Sequence, residues 1–272
     1  MNARSPALTL PLFALLFTAC GGSEAPPAPV AGPAAPPPVA EPAPPPAPAD
    51  PIATAVKDPT RDAEARARDP FRKPAEILYF AGVKPGDSVV EFVPGAGYDT
   101  ALLSRVVGPS GRVYAVDSER LFEYMPSLRE SFPKFIEADP RGNVEYSVQR
   151  LDALELPAQV DIFWMSMFYH DTVWLGVDRA AMNRYIYEHL KPGGVYLIVD
   201  HHAVSGAGDA VTRDIHRIDA EQVRREVEAA GFRLAAMSDA LMNMDDPRDV
   251  SVFDDAWRGR TDRFVYKFVK PR

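Results

Sequence analysis

Residues 88–117 read SVVEFVPGAGYDTALLSRVVGPSGRVYAVD, and this stretch indicates the fold. The apolar run 88–93 predicts a strand, the paired glycines after it predict a tight turn, and the apolar spacing over 100–107 predicts a helix. A second strand is predicted over 112–116. A strand, a turn, a helix and a strand at this spacing form a βαβ unit, which sets two parallel strands into one sheet.

The same alternation continues to the C-terminus. Further strands are predicted over 144–148, 160–165, 195–199, 232–237 and 263–269. This pattern predicts an α/β fold, a doubly wound Rossmann-like sheet of seven strands that helices cover on both faces. No long helix is predicted between the last two strands, so we expect the last strand to be antiparallel.

Two helices have clear start and stop signals. One is predicted over 178–190, and the run Lys191-Pro192-Gly193-Gly194 is expected to end it. The other is predicted over 219–230, where Asp219 and Gln222 have the spacing of a capping box and Gly231 can adopt the left-handed conformation that ends a helix.

Composition limits the classes of function. The chain has 272 residues, with 30 Lys and Arg against 38 Asp and Glu, so its formal net charge is −8. Nucleic-acid binding is disfavoured, because neutralising a polyanion needs a basic surface. The single cysteine, Cys20, excludes a disulfide scaffold and a thiolate zinc site. Because of the acidic net charge, a nucleic-acid partner is not expected.

The N-terminal residues differ in composition from the rest. Residues 1–19 contain Arg4 and a short apolar run, which predicts a secretory signal and is too short to cross a membrane. Residues 20–57 are predicted to be a Pro/Ala-rich linker, since 21–51 hold 13 of the 28 prolines. Residues 58–272 have the composition of a globular domain.

The loop after the first strand is the predicted ligand site, because ligands bind beyond the carboxyl ends of the strands in such a sheet. Gly95 and Gly97 would let the backbone approach a ligand closely. Asp117 follows Gly97 by twenty residues and is placed to accept hydrogen bonds from a ribose diol. A dinucleotide site would have a third glycine where Thr100 stands, so a nucleotide-dependent oxidoreductase is disfavoured.

These motifs resemble the class I S-adenosylmethionine-dependent methyltransferases. The resemblance is carried by VVEFVPGAG (89–97), VYAVD (113–117), Asp152 and LKPGG (190–194). A bacterial branch of predicted methyltransferases is similar in addition through VKPGD (83–87), YHD (169–171), DH (200–201) and HRID (216–219). The likeness extends from about residue 69 to the C-terminus, and it implies S-adenosyl-L-methionine as the cofactor.

The resemblance also implies roles for individual residues. Glu91, Pro94, Gly95 and Gly97 would cradle the methionine part of the cofactor. Asp117 would bind the ribose, and Asp152 would bind the adenine amino group. A structural alternative exists, in which Glu91 and Asp117 cap helices, Asp152 lies in a solvated loop and the glycines serve tight turns alone.

One position departs from the family. Val93 stands where the family usually has its first glycine, and Pro94 follows it. This pair would narrow the pocket and weaken cofactor binding.

Residues after the fourth and fifth strands should face the same crevice. His170 is the predicted catalytic base for a small-molecule acceptor, with a structural histidine as the alternative. A metal site is not predicted, although the residue types of Asp200, His201, His202 and His216 suit one. Adjacent histidines on an extended segment point to opposite sides, so at most one of His201 and His202 would join a single cluster. The favoured interpretation is that these side chains are hydrogen-bonded residues on the substrate side. Three aromatic residues could line an apolar substrate pocket or could equally be core or lid residues: Phe168, Tyr169 and Trp174.

The residues Phe17-Thr18-Ala19-Cys20 resemble a bacterial lipoprotein signal. The resemblance implies that Cys20 is lipidated after cleavage and anchors the chain to a membrane. Gly21 resembles the residue of outer-membrane-sorted lipoproteins, which implies the periplasmic face of the outer membrane in the bacterial cell envelope. Phe17 departs from the usual leucine, so an ordinary signal peptide stays the alternative.

Export conflicts with the implied cofactor, because S-adenosylmethionine is made inside the cell. Two hypotheses from different classes therefore remain. One is a working methyltransferase, which the acidic and glycine positions favour. The other is a non-catalytic binding module that retains the fold, which Val93, Pro94 and the export signal favour.

Overall fold

The computed structural model of the chain describes residues 49–272. The predicted signal peptide, Cys20 and most of the predicted linker lie outside this range. Within it, no helix is both long and apolar enough to cross a membrane.

Seven strands form one sheet in the order β3-β2-β1-β4-β5-β7-β6. Strands β1 to β5 pair in parallel, whereas β7 is antiparallel to both β5 and β6. The predicted seven-stranded Rossmann-like α/β fold with an antiparallel last strand is thereby confirmed. The strands are β1 (Ser88–Phe92), β2 (Arg112–Ser118), β3 (Val144–Gln149), β4 (Val160–Ser166), β5 (Leu190–His201), β6 (Arg233–Ser238) and β7 (Arg263–Val269).

Helices precede and connect the strands. Ahead of β1 lie α1 (Pro51–Lys57), α2 (Ala63–Ala67), α3 (Asp69–Arg72) and α4 (Pro74–Ala81). Between β1 and β4 lie α5 (Tyr98–Val107), α6 (Glu119–Tyr124), a 3₁₀ turn (Pro126–Glu130) and α7 (Ser131–Ala138). The remaining helices are α8 (Asp171–Trp174), α9 (Arg179–His189), α10 (Thr212–Ile215) and α11 (Ala220–Ala229).

The sheet separates two apolar clusters because neighbouring residues of a strand point to opposite faces. In β1, Val89 belongs to the cluster that α1, α4 and α5 cover, and Val90 belongs to the cluster that α9 and α11 cover. Both side chains are fully buried. Helices therefore cover both faces of the sheet, as the alternation in the sequence predicts.

The predicted linker, residues 20–57, extends too far toward the C-terminus. Residues 51–57 fall within it but form α1, where Asp50 accepts hydrogen bonds from the amides of Ile52 and Ala53. Ile52 and Ala55 are buried in the core. A proline in the first turn is compatible with a helix, so Pro51 begins this element rather than extending the linker.

Two local predictions also differ from the structure. Asp219 caps α11 through the amide of Glu221, but Gln222 donates to Glu226 instead of closing a capping box. Helix α9 ends at His189, within a residue of its prediction. The strand that follows begins at Leu190 instead of 195, because Leu190 pairs with Val160 and Gly194 accepts from the Lys270 amide.

Candidate active site

A cavity of about 220 Å³ lies at the carboxyl ends of β1 and β4. The loop that joins β1 to α5 forms one wall, and the end of β4 forms another. Of the predicted site residues, Glu91, Pro94 and Gly95 line this cavity. The other lining residues are Arg68, Arg72, Phe92, Val93, Ala96, Tyr98, Asp99, Trp164, Ser166 and Met167.

The loop after β1 runs through the left-handed region of the backbone. Val93, Gly95 and Gly97 have φ values of 51°, 58° and 76°. A branched residue rarely adopts this conformation, and the strain costs roughly 1–3 kcal/mol. Val93 therefore keeps the backbone conformation that a glycine would adopt without strain.

The two glycines of this loop have different surroundings. Apart from Gly95 and its two chain neighbours, no residue of 49–272 has an atom within 4 Å of the place where a Cβ of Gly95 would be, so its backbone is open to a ligand. A Cβ on Gly97 would lie 2.3 Å from the ring of Phe135 in α7. Gly97 thus allows the Phe135 ring to pack on the loop. This structural role is additional to the predicted contact with a ligand.

Glu91 is the buried acid at the end of β1, with 2% of its surface exposed. The Thr100 hydroxyl donates to its Oε2 at 2.5 Å. Burial raises the pKa of Glu91 well above its usual range, and the carboxylates of Asp99 and Asp117 raise it further. Burial thus favours the neutral form of Glu91, and a cation that enters the cavity would lower this pKa and favour the ionised form.

Two arginines at the cavity come from the segment ahead of the sheet. The guanidinium groups of Arg68 and Arg72 lie 4.8 Å and 4.7 Å from the ring centre of Tyr98. Arg72 Nη1 is 3.8 Å from Asp99 Oδ2. Neither arginine was predicted, because α3 precedes the βαβ unit and has no motif of its own. The cavity therefore carries both signs of charge.

Asp117 lies in β2, is 3% exposed and is not among the residues that line the cavity. The Tyr146 hydroxyl donates to its Oδ2 at 2.9 Å. Burial raises the pKa of Asp117 to about 6, although this hydrogen bond acts in the opposite direction. The predicted ribose contact would use Oδ1, which makes no hydrogen bond within the described residues.

Asp152 lies beyond the lining of the cavity. Its carboxylate accepts two hydrogen bonds from Arg150, at 3.1 Å and 3.2 Å. The amide of Asp178 is a third, longer contact at 3.5 Å. The predicted contact with adenine would require this pair with Arg150 to open or to be shared.

His170 lies at the end of β4 and contacts three polar side chains. Its Nδ1 is 2.7 Å from Asp200 Oδ1, and its Nε2 is 3.1 Å from Asp171 Oδ1 and 3.3 Å from His216 Nδ1. Burial alone would lower the pKa of His170, but the two carboxylates outweigh it and raise the pKa to about 10. Both ring nitrogens of His170 thus face polar side chains of the protein, and its predicted role as a catalytic base stays a prediction.

The aromatic residues predicted for a substrate pocket divide into two groups. Phe168 and Tyr169 are buried in the core, and the Tyr169 hydroxyl bonds to Glu226 and Asn183. Trp174 is half-buried beside His216, with 6.2 Å between the ring centres. Only Trp174 therefore remains a candidate for contact with a substrate.

Two features of β4 and its end also point to a ligand. Met167, like Val93, is a non-glycine residue of the cavity lining in the left-handed region, with φ of 55°. The indole Nε1 of Trp164 is buried and has no hydrogen-bond partner among residues 49–272. Backbone strain and an unpaired donor are features that binding sites tend to contain.

A family model for protein-L-isoaspartate(D-aspartate) O-methyltransferases matches residues 70–148. The chain is also similar to the ubiquinone/menaquinone biosynthesis C-methyltransferase UbiE of Teredinibacter turnerae. The two are 30% identical over 124 residues, which cover 45% of this chain and 46% of that protein. The chain therefore spans less than half the length of the curated relatives it matches.

Solved structures show the same fold. A SAM-dependent methyltransferase from Aquifex aeolicus is 18% identical with a TM-score of 0.52, over 75% of this chain and 98% of that one. The [4+2]-cyclase SpnF is 15% identical with a TM-score of 0.52, over 79% of this chain and 85% of that one. At these identities the likeness shows the fold alone, and one fold can carry more than one chemistry.

Proposed function

We propose that this protein is an S-adenosylmethionine-dependent methyltransferase that acts on a small-molecule acceptor. The family model, the curated relatives and the solved structures support the class I methyltransferase family and this cofactor. The observation that carries the proposal is the charged cavity at the carboxyl ends of β1 and β4. This is the place where a doubly wound sheet binds its ligand.

The residues at the cavity suit the amino-acid end of the cofactor. Arg68 and Arg72 provide positive charge for a carboxylate, and Asp99 provides negative charge for an ammonium group. A bound ammonium would also favour ionisation of the buried Glu91. The open backbone of Gly95 allows close approach, and the unpaired Trp164 indole is a further donor. When bound, the cofactor would supply an electrophilic methyl group at its sulfonium.

The side chains of the protein would mainly position the reactants. Methyl transfer is an in-line displacement, so orientation in a dry pocket supplies much of the rate enhancement. Asp117 at the end of β2 would accept a ribose hydroxyl through Oδ1. The net charge of −8 supports a small-molecule acceptor over a nucleic acid.

Thermal and chemical unfolding with the cofactor tests this proposal. At pH 7.5, where Asp117 is ionised, cofactor at 100 times its dissociation constant should add about 2.7 kcal/mol of stability. An Asp117→Ala variant should lose most of this gain, because the ribose then has no charged acceptor.

Asp161 offers a matched control. It lies at the amino end of β4, whereas the cavity lies at the carboxyl end of the same strand. There it accepts hydrogen bonds from Ser88 and Lys191. An Asp161→Ala variant should be less stable than the wild type but should gain the same increment from the cofactor. No increment in the wild type at millimolar cofactor would reject the proposal and favour a non-catalytic binding module.

We also propose that Cys20 anchors the protein to a bacterial membrane. The support is the resemblance of 17–20 to a lipoprotein signal. Mass spectrometry of the protein from its native membrane should find an N-terminus at Cys20 that carries acyl chains. Replacing Cys20 by serine should remove both the added mass and the membrane association. An intact and unmodified Met1 would refute the anchor.

A further inference from the structure

Three side chains outside the cavity meet at one point. His170 follows β4, Asp171 begins α8, and His216 ends α10. The sheet brings the ends of β4 and β5 together, so residues far apart in the chain become neighbours. One imidazole nitrogen from each histidine and one carboxylate oxygen converge, which makes this a potential metal cluster.

The three atoms form a nearly equilateral triangle. His170 Nε2 is 3.1 Å from Asp171 Oδ1 and 3.3 Å from His216 Nδ1, and His216 Nδ1 is 3.1 Å from Asp171 Oδ1. A metal with bonds of about 2.0–2.2 Å holds adjacent ligands about 2.8–3.6 Å apart in octahedral or tetrahedral geometry. The triangle therefore has the dimensions of one face of a coordination polyhedron.

Hydrogen bonds alone cannot satisfy all three sides of this triangle. If both ring nitrogens carry hydrogen, both can donate to Asp171, but the two N–H groups then face each other. If only one of them carries hydrogen, the other nitrogen turns a lone pair toward the carboxylate oxygen. Every arrangement leaves at least one repulsive side, whereas a cation at the centre is attracted to three lone pairs.

The groups around the triangle orient it. Asp200 is fully buried, and its Oδ1 is 2.7 Å from His170 Nδ1. A carboxylate on the far nitrogen of a histidine is the usual arrangement behind a metal ligand, since it fixes the ring and directs Nε2 to the ion. The Trp174 indole donates to Asp171 Oδ1 at 2.7 Å and holds that carboxylate in place.

We propose that His170, Asp171 and His216 bind a divalent first-row transition metal ion. Two imidazoles and one carboxylate favour such an ion over Mg²⁺ or Ca²⁺, which prefer oxygen ligands only. Three protein ligands leave at least one position for water or substrate. The side chains of Asp171 and His216 are 15% and 22% exposed, so one side of the cluster is accessible.

The position of the cluster suggests what the ion would do. His170 follows Met167, which lines the cavity, by three residues along the chain. In the proposed reaction, and resting on it, the ion would coordinate an oxygen of the acceptor and hold that atom toward the cavity. Metal binding itself does not depend on the proposed function.

Cobalt titration tests the site. The full chain, purified with a tag that contains no histidine and stripped of metal with a chelator, is titrated with Co²⁺ while visible absorption is recorded. We expect one Co²⁺ per chain. A His216→Gly variant should bind at least 30-fold more weakly, and glycine tolerates the φ of 54° at this position, so the fold should persist.

Two further variants complete the test. Asp200→Asn should weaken Co²⁺ binding by about 10- to 100-fold through its effect on His170. His189→Gln is the matched control, because His189 lies on α9, stacks on Tyr185 and is not part of the cluster. This variant should bind Co²⁺ with the affinity of the wild type. Absence of stoichiometric Co²⁺ binding by the wild type, or wild-type affinity in a folded His216→Gly protein, would overturn the site. Neither outcome bears on cofactor binding, which the titration does not involve.

Discussion

Replacing Arg217 by methionine is expected to lower the free energy of unfolding by about 3–5 kcal/mol. Arg217 is fully buried and forms two hydrogen bonds with Asp246, at 2.9 Å and 3.0 Å. Its other guanidinium contacts are the carbonyl oxygens of Val250 and His202. Removing the cation leaves a carboxylate buried without a compensating charge, which accounts for the size of the loss.

Urea denaturation of the variant measures this loss. Arg224→Met is the matched control, because Arg224 pairs with Glu228 at 3.3 Å on the exposed side of α11 and should contribute less than about 1 kcal/mol. Combining Arg217→Met with Asp246→Asn should recover part of the stability, since the unpaired charge is removed while an acceptor remains. Equal losses in the two single arginine variants would contradict the argument.

Replacing Arg72 by methionine is expected to weaken cofactor binding by about 3 kcal/mol, roughly 150-fold. Arg72 lines the cavity beside Asp99 and over the ring of Tyr98, where it would face the cofactor carboxylate. Without the guanidinium group of Arg72, the cofactor carboxylate would lose hydrating water on binding and would gain no ion pair with this residue. The energy of the complex would rise while the free protein keeps its fold.

The unfolding assay with graded cofactor gives the dissociation constant of this variant. Arg66→Met is the control, because Arg66 is an exposed arginine of the neighbouring helix α2 and does not line the cavity. Its dissociation constant should match the wild-type value. If Arg72→Met also binds with wild-type affinity, the carboxylate lies elsewhere and the placement of the cofactor in this cavity is wrong.

The sheet could be predicted from the sequence because its signals are local. Apolar runs bounded by glycine or charged residues predict all seven strands, and β7 matches its predicted range of 263–269. The start of β5 could not be predicted in this way. Leu190 joins the sheet through its pairing with Val160, a contact thirty residues away that leaves no trace in the local pattern.

The candidate site was predictable only where a motif marks it. The motif at the end of β1 and in the loop after it predicts Glu91 and Gly95 as site residues, and both line the cavity. Arg72 comes from a helix that precedes the sheet, so only the folded chain shows its relation to the loop. Asp200 was considered as a metal ligand, and the structure instead places it behind His170. Sequence identifies side chains that suit a chemistry, but the tertiary fold decides which of them share a site.

The hydrogen bond from Tyr146 to Asp117 bears on how a ribose would be recognised. A phenol already occupies one oxygen of the carboxylate that would receive the ribose, and it is tethered to the neighbouring strand at fixed distance. Because the ribose would bind Oδ1, the phenol can stay on Oδ2 and hold the carboxylate in one orientation. Binding of the nucleoside would then add one hydrogen bond to an acceptor that is already oriented, so little side-chain entropy of Asp117 would be lost. Tyr146 would thereby preorganise Asp117 for the ribose.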